Sequence, residues 1–257
     1  MNEIVAIVEG QTEQTFVRDV LAEHLGAGGI AIWAVLSGKT RKQGGVRKWE
    51  VARNDIVRTL KEGRYCTTMF DFYAMPRDWP GRTEAARLPY EHRGSHVETA
   101  ILDDLAEHLG DRFDRRQLIP YVQVHEFEAL LFADVGHLAE VSAALCGWPI
   151  QYLAGQFTAI LEAAGDPEAI NDSYETCPSR RITSVVKAYR KKANSPIVAR
   201  RIGLDVLRQK CRHFGDWLAK LERLRAETGG VSSPAAQAGT TGEASPPASD
   251  EETEPPR

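Results

Sequence analysis

The stretch Ile4-Val5-Ala6-Ile7-Val8-Glu9-Gly10-Gln11-Thr12-Glu13 decides the fold. Five apolar residues run without interruption, and most are β-branched. Such a run suits a strand buried on both faces, the pattern of a parallel sheet covered on each side. Gly10 permits a tight turn, and Thr12 is expected to N-cap a helix over residues 13–25. Glu9 then stands at the carboxyl end of a buried parallel strand, where open α/β sheets place their ligands. Glu13 follows one helical turn later and can face the same crevice. In the alternative reading Glu9 simply ends a strand and Glu13 complements the helix dipole.

The same arrangement recurs along the chain. Residues 64–70 read as a strand ending at Asp71, after which Tyr73, Pro76 and Trp79-Pro80-Gly81 break the pattern. Residues 118–124 read as another, running into His125-Glu126-Phe127-Glu128. A zincin helix would need histidine at 129, and Ala129 excludes it. Residues 30–36 make a further buried strand. Helices are expected over 49–61, over 95–109 with Ser95 as N-cap and Glu98 completing a capping box, and over 135–146, 150–164, 181–192 and 197–224 with breaks. His92 and His96 have helical ligand spacing, but Gly94 interrupts them and no third ligand is near, so they are expected at the surface. The alternation of strands and helices predicts an α/β fold.

Composition narrows the class. Of 257 residues 42% are hydrophobic, enough for one core of ordinary size. No apolar run is expected to span a membrane, and the chain reads as cytoplasmic. Cys66, Cys146, Cys177 and Cys211 are scattered and fit reduced structural thiols. The net charge of −4 hides an asymmetry: residues 177–225 carry +11, residues 1–176 carry −10, and the tail from 228 carries −4. An acidic front half with a basic flank suits a metal-centred site that binds polyanions; a salt-bridged interface between the halves is the structural alternative. The loop over 37–48 holds Lys39, Arg41 and Lys42 without any acid and is expected to contact nucleic-acid phosphates, a solvated turn being the alternative. Its Gly38-Lys39-Thr40 is not a P-loop, because Trp33 stands where Walker A needs glycine. Three parts are expected: an α/β core over 1–134, a basic helical part over 135–227 packed on it, and a disordered acidic tail over 228–257.

Acidic clusters at strand ends favour hard cations, so Mg²⁺ or Mn²⁺ is expected rather than zinc. With basic residues alongside, the matching chemistry is metal-assisted phosphodiester cleavage. The residues Val8-Glu9-Gly10-x-Thr12-Glu13 resemble the first motif of Toprim domains. The wider set resembles domain-of-unknown-function family 4276: Asp71-x-Tyr73-x-x-Pro76 with Trp79-Pro80-Gly81, the run from Pro120 through Phe132, Ile170-Asn171-Asp172, Pro178-Ser179-Arg180-Arg181, and Cys211-x-His213-Phe214-x-x-Trp217. The resemblance implies a Toprim-like small parallel sheet wrapped by helices, with a helical C-terminal extension. It also implies a nuclease of phage-defence type that works on DNA or RNA, beside a separate ABC or SMC-like ATPase. Glu9 would be the Toprim glutamate and Asp71 the first acid of an Asp-x-Asp pair whose second position is Tyr73 here. Glu126 or Glu128 would supply the missing carboxylate, and Glu13 would assist as ligand or base. Arg180, Arg181, Lys187, Arg190, Lys191 and Lys192 would hold the phosphate backbone. A non-catalytic module that binds nucleic acid or a partner is the alternative.

Overall fold

The computed structural model describes residues 2–38, 48–170 and 176–227. Lys39, Arg41, Lys42, Asn171 and Asp172 lie outside the described residues, as does the acidic tail. β1 (Asn2–Val8) lies between β2 (Ile30–Leu36) and β3 (Tyr65–Asp71), and all pairings are parallel. Beyond β3 come two short segments, β4 (Leu118–Ile119) and β5 (Val122–Gln123). They share one register on β3, with Cys66 opposite Leu118 and Phe70 opposite Val122. The strand expected over 118–124 is therefore a single line interrupted at Pro120, which has no N–H to give the ladder. Thr68 mends the gap: its Oγ1 accepts from Tyr121 N at 2.8 Å and lies 3.0 Å from Tyr121 O.

The continuous apolar run of β1 is divided between two cores. Ile4, Ala6 and Val8 join one cluster, and Val5 and Ile7 join the other. The second cluster is closed by α3 (Trp49–Lys61), α4 (Arg82–Ala85) and α5 (Tyr90–Leu109). On the opposite face lies a helix that starts as α1 (Gln11–Phe16), passes through a π-helical turn (Val17–Leu21) and ends as α2 (Ala22–Ala27). The same cluster takes in a 3₁₀ segment (Phe127–Asp134), α6 (Val135–Cys146), α7 (Ile150–Ala164), α8 (Pro178–Val185), α9 (Lys191–Ile202), α10 (Leu204–Lys210) and α11 (Arg212–Glu227). Burying each large aliphatic side chain here contributes about 1.5–3 kcal/mol. Trp217 on α11 donates its indole N–H to Thr67 Oγ1 at 2.8 Å, which ties the last helix to the middle of the sheet.

Several expectations are corrected. Gly10, not Thr12, occupies the N-cap of the first helix, and Thr12 is buried in its first turn. α5 begins after Pro89, five residues before Ser95, and Glu98 turns into the core instead of forming a capping box. Gly94, expected to break the helix, lies inside it because α5 crosses β5 closely. A Cβ at this position would lie 2.6 Å from both Val122 O and His213 Nε2. The helix expected over 181–192 stops at Val185, and a new one starts at Lys191. One run does reach membrane-span length and apolarity, Phe127–Cys146. It is two elements meeting at Asp134, and Leu130, Leu131, Phe132 and Leu138 are fully buried in the core.

Candidate functional site

Parallel pairing brings the three acidic strand ends to one edge of the sheet. Val8 is opposite Met69, so Glu9 comes level with Phe70, and its side chain reaches one residue further, where Oε2 accepts from Asp71 N at 3.3 Å. Asp71 in turn is opposite Gln123, the last residue of β5. Glu126 and Glu128 follow directly, on the turn into the 3₁₀ segment. The chain has left the strand at this point, so the two glutamates do not point to opposite faces. Both reach Lys191, the first residue of α9: Nζ lies 3.4 Å from Glu126 Oε1 and 2.8 Å from Glu128 Oε2. Glu13 enters from the first turn of α1. Its Oε2 would be 2.9 Å from a Cβ at position 10, so Gly10 leaves room for the carboxylate to fold back against the strand end.

Each carboxylate is held differently. Asp71 Oδ1 accepts from Tyr73 N at 2.8 Å and Ala74 N at 3.4 Å. Glu126 Oε2 accepts from Ser179 N at 2.9 Å, in the first turn of α8. Glu128 is fully buried, and its Oε1 accepts from Ser195 Oγ at 2.6 Å. That hydroxyl lies 3.0 Å from Tyr189 Oη.

The electrostatics follow from this packing. Burial, reinforced by the charges of Asp71 and Glu13, pushes Glu9 up to about 8. Burial raises Asp71 to about 7 in spite of its two backbone hydrogen bonds. Glu13 and Glu128 are also raised, chiefly by burial. Burial works the same way on Glu126, but Lys191 and the Ser179 contacts outweigh it and leave that carboxyl below its ordinary value. Burial alone would lower Lys191, yet Glu128 and Glu126 hold its ammonium above the usual lysine range. Lys191 pairs with Glu126 and Glu128, and its charge also favours ionisation of Glu9, Glu13 and Asp71 without overcoming their burial.

The basic residues expected to grip phosphate divide into three settings. Lys187, Arg190 and Lys192 are exposed, as is Arg180 on α8. Lys191 faces the carboxylates, and Arg181 is half-buried with its Nε donating to Thr176 O at 2.7 Å. The i, i+4 spacing of Lys191 and Ser195 puts both on one face of α9, a signal the sequence carried but that gains meaning only once Glu128 faces it.

Sequence reasoning overlooked a cavity of about 530 Å³ lined by Tyr73, Tyr90, Arg93, His125 and Arg181, among others. Tyr73 stacks on the His125 ring with centroids 5.1 Å apart, and its hydroxyl accepts from Arg93 Nη1 at 2.6 Å. Burial and the nearby Arg93 charge depress His125 to about 4. The four cysteines are free thiols.

A parallel α/β sheet with an acidic carboxyl edge defines the class, and comparison with known sequences defines the family. Residues 8–222 match the family described as Domain of unknown function (DUF4276), and the chain belongs to it. No curated protein and no solved structure matches the chain.

Proposed function

We propose that this chain is a Mg²⁺- or Mn²⁺-dependent nuclease of the Toprim kind, hydrolysing phosphodiester bonds in nucleic acid. The observation that carries the reading is the convergence of carboxyl groups at the sheet edge, where Glu9 meets Asp71 N, and Glu126 and Glu128 both meet Lys191. Hard oxygen donors suit a divalent cation in kind, and a bound cation would favour release of the protons that burial holds on Glu9 and Asp71. As the side chains stand, no group of three or more acidic, histidine or cysteine residues among the described residues is arranged to hold a metal. Lys191 pairs with two of the candidate ligands, so a cation would have to compete with its ammonium. Glu9, Asp71 and Glu126 would hold the ion, which supplies a polarised phosphoryl oxygen and an activated water when bound. Glu13 stands in the same cluster as Glu9 and burial raises both, which suits Glu13 to assist as ligand or base. Lys187, Arg190 and Lys192 are exposed and suit contacts along the phosphate backbone. A separate ABC or SMC-like ATPase partner and a role in phage defence rest on the Toprim resemblance alone.

A second reading, a binding module without catalysis, draws support from Tyr73, whose hydroxyl is committed to Arg93 where a Toprim site has its second acid. One experiment separates the two. Cleavage of plasmid, single-stranded DNA and transfer RNA is followed with Mg²⁺ or Mn²⁺ beside a Mn²⁺ binding titration. The nuclease reading expects sub-millimolar Mn²⁺ affinity and cleavage, both lost in Asp71→Asn. Failure to bind Mn²⁺ below millimolar levels leaves the binding module.

A further inference from the structure

The cavity beside the carboxylates is built for a ligand that the acidic edge does not account for. His125 is only 2% exposed, yet neither Nδ1 nor Nε2 has a hydrogen-bond partner among the described residues. A buried imidazole without partners is costly, and it lines an open cavity instead of sitting in apolar packing. The ring is fixed by its stack on Tyr73, whose own position is fixed by Arg93.

Two guanidinium groups share the cavity with it. Arg93 spends Nε on Leu88 O at 2.9 Å and Nη1 on Tyr73, and Arg181 spends Nε on Thr176 O. Among the described residues the cavity wall includes no carboxylate. The remaining wall includes Ala163, Ala164, Ala169 and Ile170, which are small or apolar.

We propose that this cavity binds a nucleoside monophosphate unit, with its phosphate monoester between Arg93, Arg181 and His125 and its nucleoside against Tyr73 and the alanine wall. Several observations select a monoester over an internal phosphodiester. Two guanidinium groups match a group able to carry two negative charges. His125 adds a ring N–H donor to a phosphoryl oxygen, and a diester, with one negative charge, cannot match both guanidinium groups. The volume exceeds what phosphate alone needs. Tyr73 is 39% exposed, leaving ring surface for stacking.

The cavity adjoins the acidic edge along the chain: Tyr73 is two residues from Asp71, His125 precedes Glu126, and Arg181 follows Ser179, whose N–H binds Glu126. The unit could be the phosphorylated end of a strand lying across the carboxylates or a free nucleotide. The inference rests on the nuclease reading for the nucleotide identity of its ligand, and its test does not depend on cleavage.

Binding is measured by fluorescence anisotropy without divalent cations. Labelled single strands carry a 5′-phosphate, a 3′-phosphate or hydroxyls at both ends, and a nucleoside 5′-monophosphate and inorganic phosphate serve as competitors. At least one phosphorylated strand is expected to bind tenfold more tightly than the hydroxyl-ended strand. Arg181→Gln, Arg93→Gln and His125→Leu should each cut that advantage below threefold while thermal unfolding stays cooperative. Competition by the free nucleotide, lost in Arg181→Gln and without preference among strands, assigns the cavity to free nucleotides. Equal binding of all strands with no competition overturns the proposal, as does an advantage unchanged in Arg181→Gln, which keeps it testable should His125→Leu fail to fold. Mn²⁺-dependent cleavage without a phosphate preference refutes the cavity and spares the nuclease. A preference without cleavage does the reverse.

Discussion

Replacing Glu9 by glutamine should stabilise the protein, increasingly so as pH rises. Glu9 ionises near 4.5 in the unfolded chain and near 8 in the fold. Between those values the folded state keeps a proton that the unfolded state has released, so stability falls as pH increases. The contribution is fully present below pH 4.5 and is lost as pH climbs through 8. Each pH unit costs about 1.4 kcal/mol, which gives roughly 3.4 kcal/mol between pH 4.5 and 7 for an isolated group. Asp71, also raised, lies against Glu9, and protonating one relieves the other, so the pair shares part of the loss. Removing Glu9 should therefore recover roughly 1–3 kcal/mol at pH 8 relative to pH 5. Urea unfolding at pH 5, 6, 7 and 8 without divalent cations measures this directly. On the proposed function, millimolar Mg²⁺ should restore the wild type at pH 8 and leave Glu9→Gln unmoved. Parallel pH profiles for the two proteins would refute the electrostatic reasoning, whatever the activity.

Three further outcomes follow from particular contacts. Lys191→Met removes the ammonium paired with Glu126 and Glu128, and leaving those carboxylates unpaired should cost about 3–5 kcal/mol in urea unfolding at pH 7, less at pH 5 where protonation relieves them. Gly94→Ala pushes a methyl group against Val122 O and His213 Nε2, and should cost about 1–3 kcal/mol, read as a lower unfolding midpoint with an unchanged m-value. Reversing the exposed charges of Arg190 and Lys192 together should flatten the log–log salt dependence of nucleic-acid binding by about 0.7–0.9 per lost phosphate contact; an unchanged slope assigns them to solvent.

Local order along the backbone was legible in the sequence where it depends on neighbouring residues. The unbroken apolar run of β1, the helical periods over 49–61, 135–146 and 150–164, and the placing of Glu9 and Asp71 at strand ends all follow from side-chain pattern and turn chemistry. Membership of an α/β class follows from the same alternation. Errors arose where a distant segment overrode a local signal. Ser95 and Glu98 have the spacing of a capping box, but Glu98 accepts from Val122 N at 2.9 Å and meets His213 Nε2 at 2.8 Å, partners from elsewhere in the chain. Gly94 reads as a breaker until β5 and His213 are seen packed against it.

Tertiary structure alone decided which strand ends are neighbours. Parallel register brings Glu9 within reach of Asp71, and the departure from β5 at Gln123 lets both Glu126 and Glu128 meet Lys191. It also decided the role of Lys191, which composition grouped with Arg190 and Lys192 as one basic cluster. The start of α9 at this residue sends its ammonium to the carboxylates, while the flanking residues remain in solvent. A sequence records which charges a chain carries. Whether one meets water or a buried acid depends on contacts between residues far apart in the chain, and no local periodicity encodes them.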